Sequence, residues 1–166
     1  MIFIKKYGFY FVSLLIFAFI ISFGYFMDEK HAQIILKMYA YIVELFFNNA
    51  HIYVLGIGYV DMENTYAISR SCLGINFISL LFIFNSFAFL KYFKGIMKLL
   101  WIFLCFVFSV IIGFIANCMR LISSIPFAQN SKFNLIHVAI GIAIYLFIIS
   151  MIYGILKMKL ERKDYA

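Results

Sequence analysis

Three residues of this chain combine side-chain types that do covalent chemistry. Cys72 lies in Ser69-Arg70-Ser71-Cys72-Leu73-Gly74-Ile75-Asn76, at the start of a long apolar run. A helix N-terminus presents free N–H groups and a partial positive charge, which favours a thiolate nucleophile, and Arg70 pushes the same way. Asn76 and Ser79, four and seven residues on, continue a polar stripe from the cysteine. Arg120 lies in Ala116-Asn117-Cys118-Met119-Arg120-Leu121, just past an apolar run ending at Ala116. Its five-donor fork, three residues from Asn117 and on one face with Gly113 and Ser124, suits a carbonyl or carboxylate oxygen. His137 opens the last apolar run, with Gly141 one turn on. Its imidazole titrates near neutrality and suits a general base. Each has a plainer reading: a buried structural cysteine such as Cys105, an arginine capping helix carbonyls, an interfacial histidine. His31 and His51 lie on polar segments with no partner in view and receive no role. No pair of these groups has metal-ligand spacing, so no metal is expected.

The elements that position them are set by composition. Of 166 residues, 66% are hydrophobic and only 13% charged, with a mean hydropathy of +1.04. So few charges cannot cover a water-soluble fold of this size. That excludes a soluble enzyme, a disulfide scaffold and a disordered tail. The three cysteines, 72, 105 and 118, form no CxxC pair. The net charge of +7 comes from basic clusters between apolar runs, a pattern of membrane orientation rather than of nucleic-acid binding. The fold class expected is all-α: a polytopic helical membrane protein, one integral membrane domain over residues 1–166. Four spans are read at about 7–27, 75–90, 99–116 and 136–156, each long enough to cross a bilayer or nearly so. The run Phe9–Phe23 is long for a signal peptide and reads as a retained span.

The segment 32–47 is apolar but carries Lys37 and Glu44. Lys5 and Lys6, the cluster Lys91, Lys94 and Lys98, and the tail Lys157, Lys159, Arg162 and Lys163 should share the cytoplasmic side. Four spans achieve that, so 32–47 reads as an amphipathic interfacial or re-entrant helix on the outer face, or a short, tilted fifth helix. Both termini are then cytoplasmic. The loop 48–71 lies outside, and within it Tyr59-Val60 and Tyr66–Ile68 flank Asp61-Met62-Glu63-Asn64 as a small hairpin. This topology, fixed by lysines alone, brings Cys72, Arg120 and His137 to one membrane face. A nucleophile, a base and an oxyanion donor from three helices make the arrangement that thiolate acyl transfer needs.

Cys72 with Gly74 in Ser-Cys-Leu-Gly, Asn117 and Arg120 in Asn-Cys-Met-Arg-Leu, and His137 with Gly141 resemble, in order and interval, the core of the exosortase/archaeosortase family of membrane transpeptidases. The likeness runs from about Tyr53 to Leu156 and is most similar to the compact K-type exosortases. It departs at Leu73, where the family usually has serine, and in lacking the further N-terminal spans of many members. The resemblance implies a catalytic triad of Cys72, Arg120 and His137; Asn117, Arg70 and Asn76 are read beside it as supporting residues, and no cofactor is expected. It implies a cysteine transpeptidase or protease of the cytoplasmic (inner) membrane, active at the outer face. Its partners would be exported proteins ending in a short motif, a transmembrane helix and a basic tail, met within the lipid bilayer, with no nucleic acid involved. A thiol redox protein bridging Cys72 and Cys118, and a non-catalytic membrane assembly subunit, are the alternatives.

Overall fold

The computed structural model describes residues 2–63 and 65–164, with side chains at 7–63 and 65–160. The side chains of Lys5, Lys6, Arg162 and Lys163, and Asn64 of the expected turn, lie outside the described residues. The chain is helical nearly throughout: α1 (Ile2–Phe26), α2 (Glu29–Phe47), a small sheet of β1 (His51–Val54), β2 (Gly58–Asp61) and β3 (Ala67–Ile68), then α3 (Ile75–Phe89), α4 (Met97–Ser124) and α5 (Phe133–Asp164). Among the described residues, four segments are long and apolar enough to cross a membrane: Tyr7–Phe26, Arg70–Tyr92, Met97–Phe127 and Phe133–Leu160. The protein is a multi-pass helical membrane protein, as its composition dictates.

Two compact units form. One comprises residues 1–25, 75–113 and 147–166, the other 26–74 and 114–146. The first is built of apolar helix. Ile20, Phe82, Leu90, Ile102 and Cys105 make its core, with Phe9, Tyr10, Ile16, Phe17, Trp101 and Phe106 packed around them. Small residues set the helix spacing, as they do in membranes: a methyl at Gly24 would lie 2.6 Å from Ile75 Cδ1, and one at Gly113 would lie 2.3 Å from Ile78 Cγ1. Large apolar side chains on the outside of α1, among them Phe11, Phe19 and Phe23, are exposed, a surface that only lipid suits.

The second unit carries all five acids with described side chains: Asp28, Glu29, Glu44, Asp61 and Glu63. α2 begins at Asp28, whose carboxylate accepts from the backbone N–H of His31 at 3.2 Å, and ends at Asn48 in the left-handed region, φ 56°. Both are residue types those positions favour. Its residues Ala32, Leu36, Tyr39, Ala40 and Val43 are buried along one stripe, whereas Lys37 is exposed opposite. α2 is not among the four candidate spans.

The hairpin expected around Asp61 forms. β2 and β3 pair antiparallel, Tyr59 opposite Ile68 and Val60 opposite Ala67. A third strand not foreseen, β1, pairs with β2, His51 opposite Asp61. Asp61 organises the β2–β3 turn. Its carboxylate, 2% exposed, accepts from the Thr65 N–H at 2.7 Å, the Thr65 hydroxyl at 2.9 Å and the Tyr66 N–H at 3.1 Å. Burial alone would raise its pKa, but these donors outweigh it and hold the carboxyl below its ordinary value.

Candidate functional site

The second unit holds Cys72, Asn117, Arg120 and His137 together. Cys72 is on the 3₁₀ turn Arg70–Leu73, its own N–H donating to Ser69 O at 2.8 Å. Gly74 follows with φ +70°, so the turn does not run into α3. This corrects the expectation that Cys72 begins a helix. The polar stripe does not hold either: the left-handed break shifts the register, leaving Asn76 exposed on α3 in the first unit and Ser79 buried.

Asn117 fixes the cysteine. Wholly buried in α4, it donates its side-chain amide to the Cys72 carbonyl and accepts the Tyr145 hydroxyl at 3.1 Å. Gly74 lies against it closely, since a methyl there would be 3.0 Å from Asn117 Cγ. Tyr39 of α2 ties the same turn by donating its hydroxyl to Leu73 O at 3.1 Å. Cys72 itself is 5% exposed.

Arg120 is not past the end of its helix. α4 continues two further turns beyond Ala116, to Ser124, before the only proline of the chain, Pro126, ends it. The guanidinium therefore does not cap terminal carbonyls. It lies 5.7 Å from the centre of the Tyr145 ring, a cation–π distance. A methyl at Gly141 would come within 2.8 Å of its Cδ, so α5 leaves a glycine notch for it. Its Nε is buried and has no hydrogen-bond partner among the described residues. A buried donor left unpaired costs about 1–3 kcal/mol, so this N–H is a donor open to an acceptor oxygen.

His137, in the second turn of α5, is half-buried, with Nδ1 2.8 Å from Ser124 Oγ and its ring beside Phe133. One run of contacts thus links the Cys72 backbone, Asn117, Tyr145 and Arg120, and His137 lies in the same unit on Ser124.

No protein-family model, curated protein or solved structure matches this chain.

Of the supporting residues, Asn117 is in place. Arg70 is not directed at the thiol: its guanidinium donates to the Met27 carbonyl and borders a cavity of about 250 Å³ with Glu29, Ala32, Leu36, Ser69 and Ser71. Glu29 forms one wall, accepting from the Tyr53 hydroxyl at 3.1 Å and the Gly56 N–H at 2.6 Å.

His31 and His51, expected to lack partners, both have them. His31 pairs with Asp28, and the side chain of His51 is fully buried between Glu44, at 3.2 Å, and the Tyr66 hydroxyl, at 3.0 Å. The partners come from the preceding N-cap, from α2 and from the residue just before β3, which residue spacing alone does not bring together.

Tyr145 and Tyr39 were missed from the sequence. Tyr145 could have been found, because His137, Gly141 and Tyr145 recur at helical spacing on α5. Nothing in the pattern of α2 singles out Tyr39.

Proposed function

We propose that this protein is a membrane-embedded cysteine transpeptidase or protease that cleaves C-terminal sorting signals of exported proteins through a thioester. The observation that carries the reading is the buried Arg120 Nε, unpartnered among the described residues, in one unit with a backbone-anchored cysteine and a hydrogen-bonded histidine. Such a donor is costly unless an oxygen comes to it during function. The order and spacing of the residues, which resemble the exosortase/archaeosortase core, support the same reading.

In this mechanism the Cys72 thiol gives its proton to His137 as the sulfur attacks the scissile carbonyl carbon. The carbonyl oxygen takes up negative charge and is met by Arg120. Collapse breaks the C–N bond, leaving a thioester on Cys72, and the proton on His137 passes to the departing amine of the C-terminal segment. Water or an amine then attacks the thioester, giving its proton to His137, which returns it to the Cys72 sulfur as the C–S bond breaks. Asn117 holds the Cys72 backbone during both steps, and Tyr145 orients Asn117. The substrate class is an exported protein ending in a short motif, an apolar helix and a basic tail. The cluster works at the outer face of the cytoplasmic membrane, the side that the lysine clusters of the sequence assign to it.

The test is processing of a tagged exported protein of that form in cells. Cys72→Ala, Arg120→Ala and His137→Ala should each abolish it while the protein still accumulates in the membrane. Processing at the wild-type rate in all three variants would refute the reading.

A further inference from the structure

Ser124, the last residue of α4, is wholly buried. Its Oγ lies 3.1 Å from Leu121 O, three residues back along the helix, and 2.8 Å from His137 Nδ1. A serine hydroxyl has one proton. Placed on the Leu121 carbonyl, it leaves Oγ as an acceptor, and the contact to His137 then requires a proton on Nδ1. A neutral imidazole has only one N–H, so Nε2 carries the lone pair.

We infer that Ser124 is a positioning residue that holds His137 as the Nδ1–H tautomer and so makes Nε2 the nitrogen that takes and returns the proton. The catalytic part of this inference rests on the reading of His137 as a base; the tautomer does not. The arrangement suits an imidazole that must change charge without turning. When the Cys72 S–H bond breaks and an Nε2–H bond forms, Nδ1–H remains on Ser124 Oγ and the ring stays where it was. When Nε2–H passes its proton to the leaving amine, the same tautomer is restored. The ring plane is fixed from a second side by Phe133, whose ring centre is 5.7 Å away. With an apolar residue at 124, nothing there selects the nitrogen that bears the proton.

The test uses the full chain in detergent micelles, labelled with ¹⁵N-histidine, at a pH well above the imidazole range of about 6.5. His137→Gln identifies the His137 signals by removing them. The wild-type protein should show a protonated Nδ1 and an unprotonated Nε2. Ser124→Ala should lose that signature and lower processing of the tagged substrate tenfold or more, whereas Ser124→Thr, which keeps the hydroxyl, should retain both. Should Ser124→Ala not accumulate, Ser124→Cys, a poor acceptor of similar size, should show the same loss. A wild-type Nε2–H tautomer, an unchanged signature in Ser124→Ala and Ser124→Cys, or wild-type processing in those variants would each overturn the inference. If the tautomer responds as expected but the wild-type protein processes no substrate, the hold of Ser124 on the ring is upheld and the catalytic reading fails.

Discussion

Asn117 spans two elements with one side chain: its amide donates to the backbone carbonyl of Cys72, and its own carbonyl oxygen accepts the hydroxyl of Tyr145 at 3.1 Å. The Cys72 backbone is therefore tied to α4 and, through Tyr145, to α5. Replacing Asn117 with Asp keeps the acceptor for Tyr145 but removes the donor to Cys72 and sets a charge among buried groups. Asn117→Ala removes both bonds and leaves a carbonyl unpaired, at about 1–3 kcal/mol. Both variants should lose processing in a tagged-substrate assay, Asn117→Asp at least as severely as Asn117→Ala.

Gly141 tests the placement of Arg120 without altering a polar group. A methyl at this position would lie 2.8 Å from Arg120 Cδ, so Gly141→Ala must displace the arginine, and Gly141→Val more so. Displacing a catalytic group by about 1 Å can cost around 10²-fold in rate. Processing should fall in the order wild type, Ala, Val, with membrane accumulation unchanged.

The Cys72 turn should be equally intolerant at Gly74. Its φ of +70° is strained for any residue with a Cβ, and that atom would lie 3.0 Å from Asn117 Cγ. Gly74→Ala should cost roughly 1–2 kcal/mol from the backbone alone and lower processing as Asn117→Ala does. Thermal unfolding in micelles, read beside the processing assay, checks both effects.

The sheet should respond to acid. Asp61 is held below its ordinary pKa in the fold, so it contributes stability that is fully present above the unfolded carboxyl value, about 3.9, and is lost as pH falls through the folded value. Proteolysis within residues 48–71 by an acid-active protease should accelerate as pH drops through that window. Asp61→Asn should show a weaker dependence and faster cleavage at neutral pH.

Much of the architecture was legible because a lipid solvent leaves few options: long runs free of charge become helices. The limits of the reading follow from the same logic. The apolar run before Arg120 stops at Ala116, but α4 does not, because Asn117 and Ser124 find hydrogen-bond partners and Arg120 finds the Tyr145 ring. Polarity in the sequence marks where lipid contact ends, not where the helix ends. Cys72, Arg120 and His137 were recognisable by residue type, and Asn117 by its spacing from Arg120. The role of Gly74 was hidden, since a left-handed residue three positions before Phe77 changes which faces Asn76 and Ser79 occupy. β1 was hidden too: four residues, His51–Val54, are too few for alternation to stand out until β2 pairs with them.

The central claim is that Cys72 carries an acyl group taken from an exported protein. Mass spectrometry of the mature C-termini of exported proteins, in cells expressing either the wild-type protein or Cys72→Ala, tests it most directly. The account predicts at least one protein trimmed at a motif preceding an apolar helix and basic tail in the wild-type cells, and left with that helix and tail in the Cys72→Ala cells. Identical C-termini in both, with the two proteins equally abundant in the membrane, would contradict it.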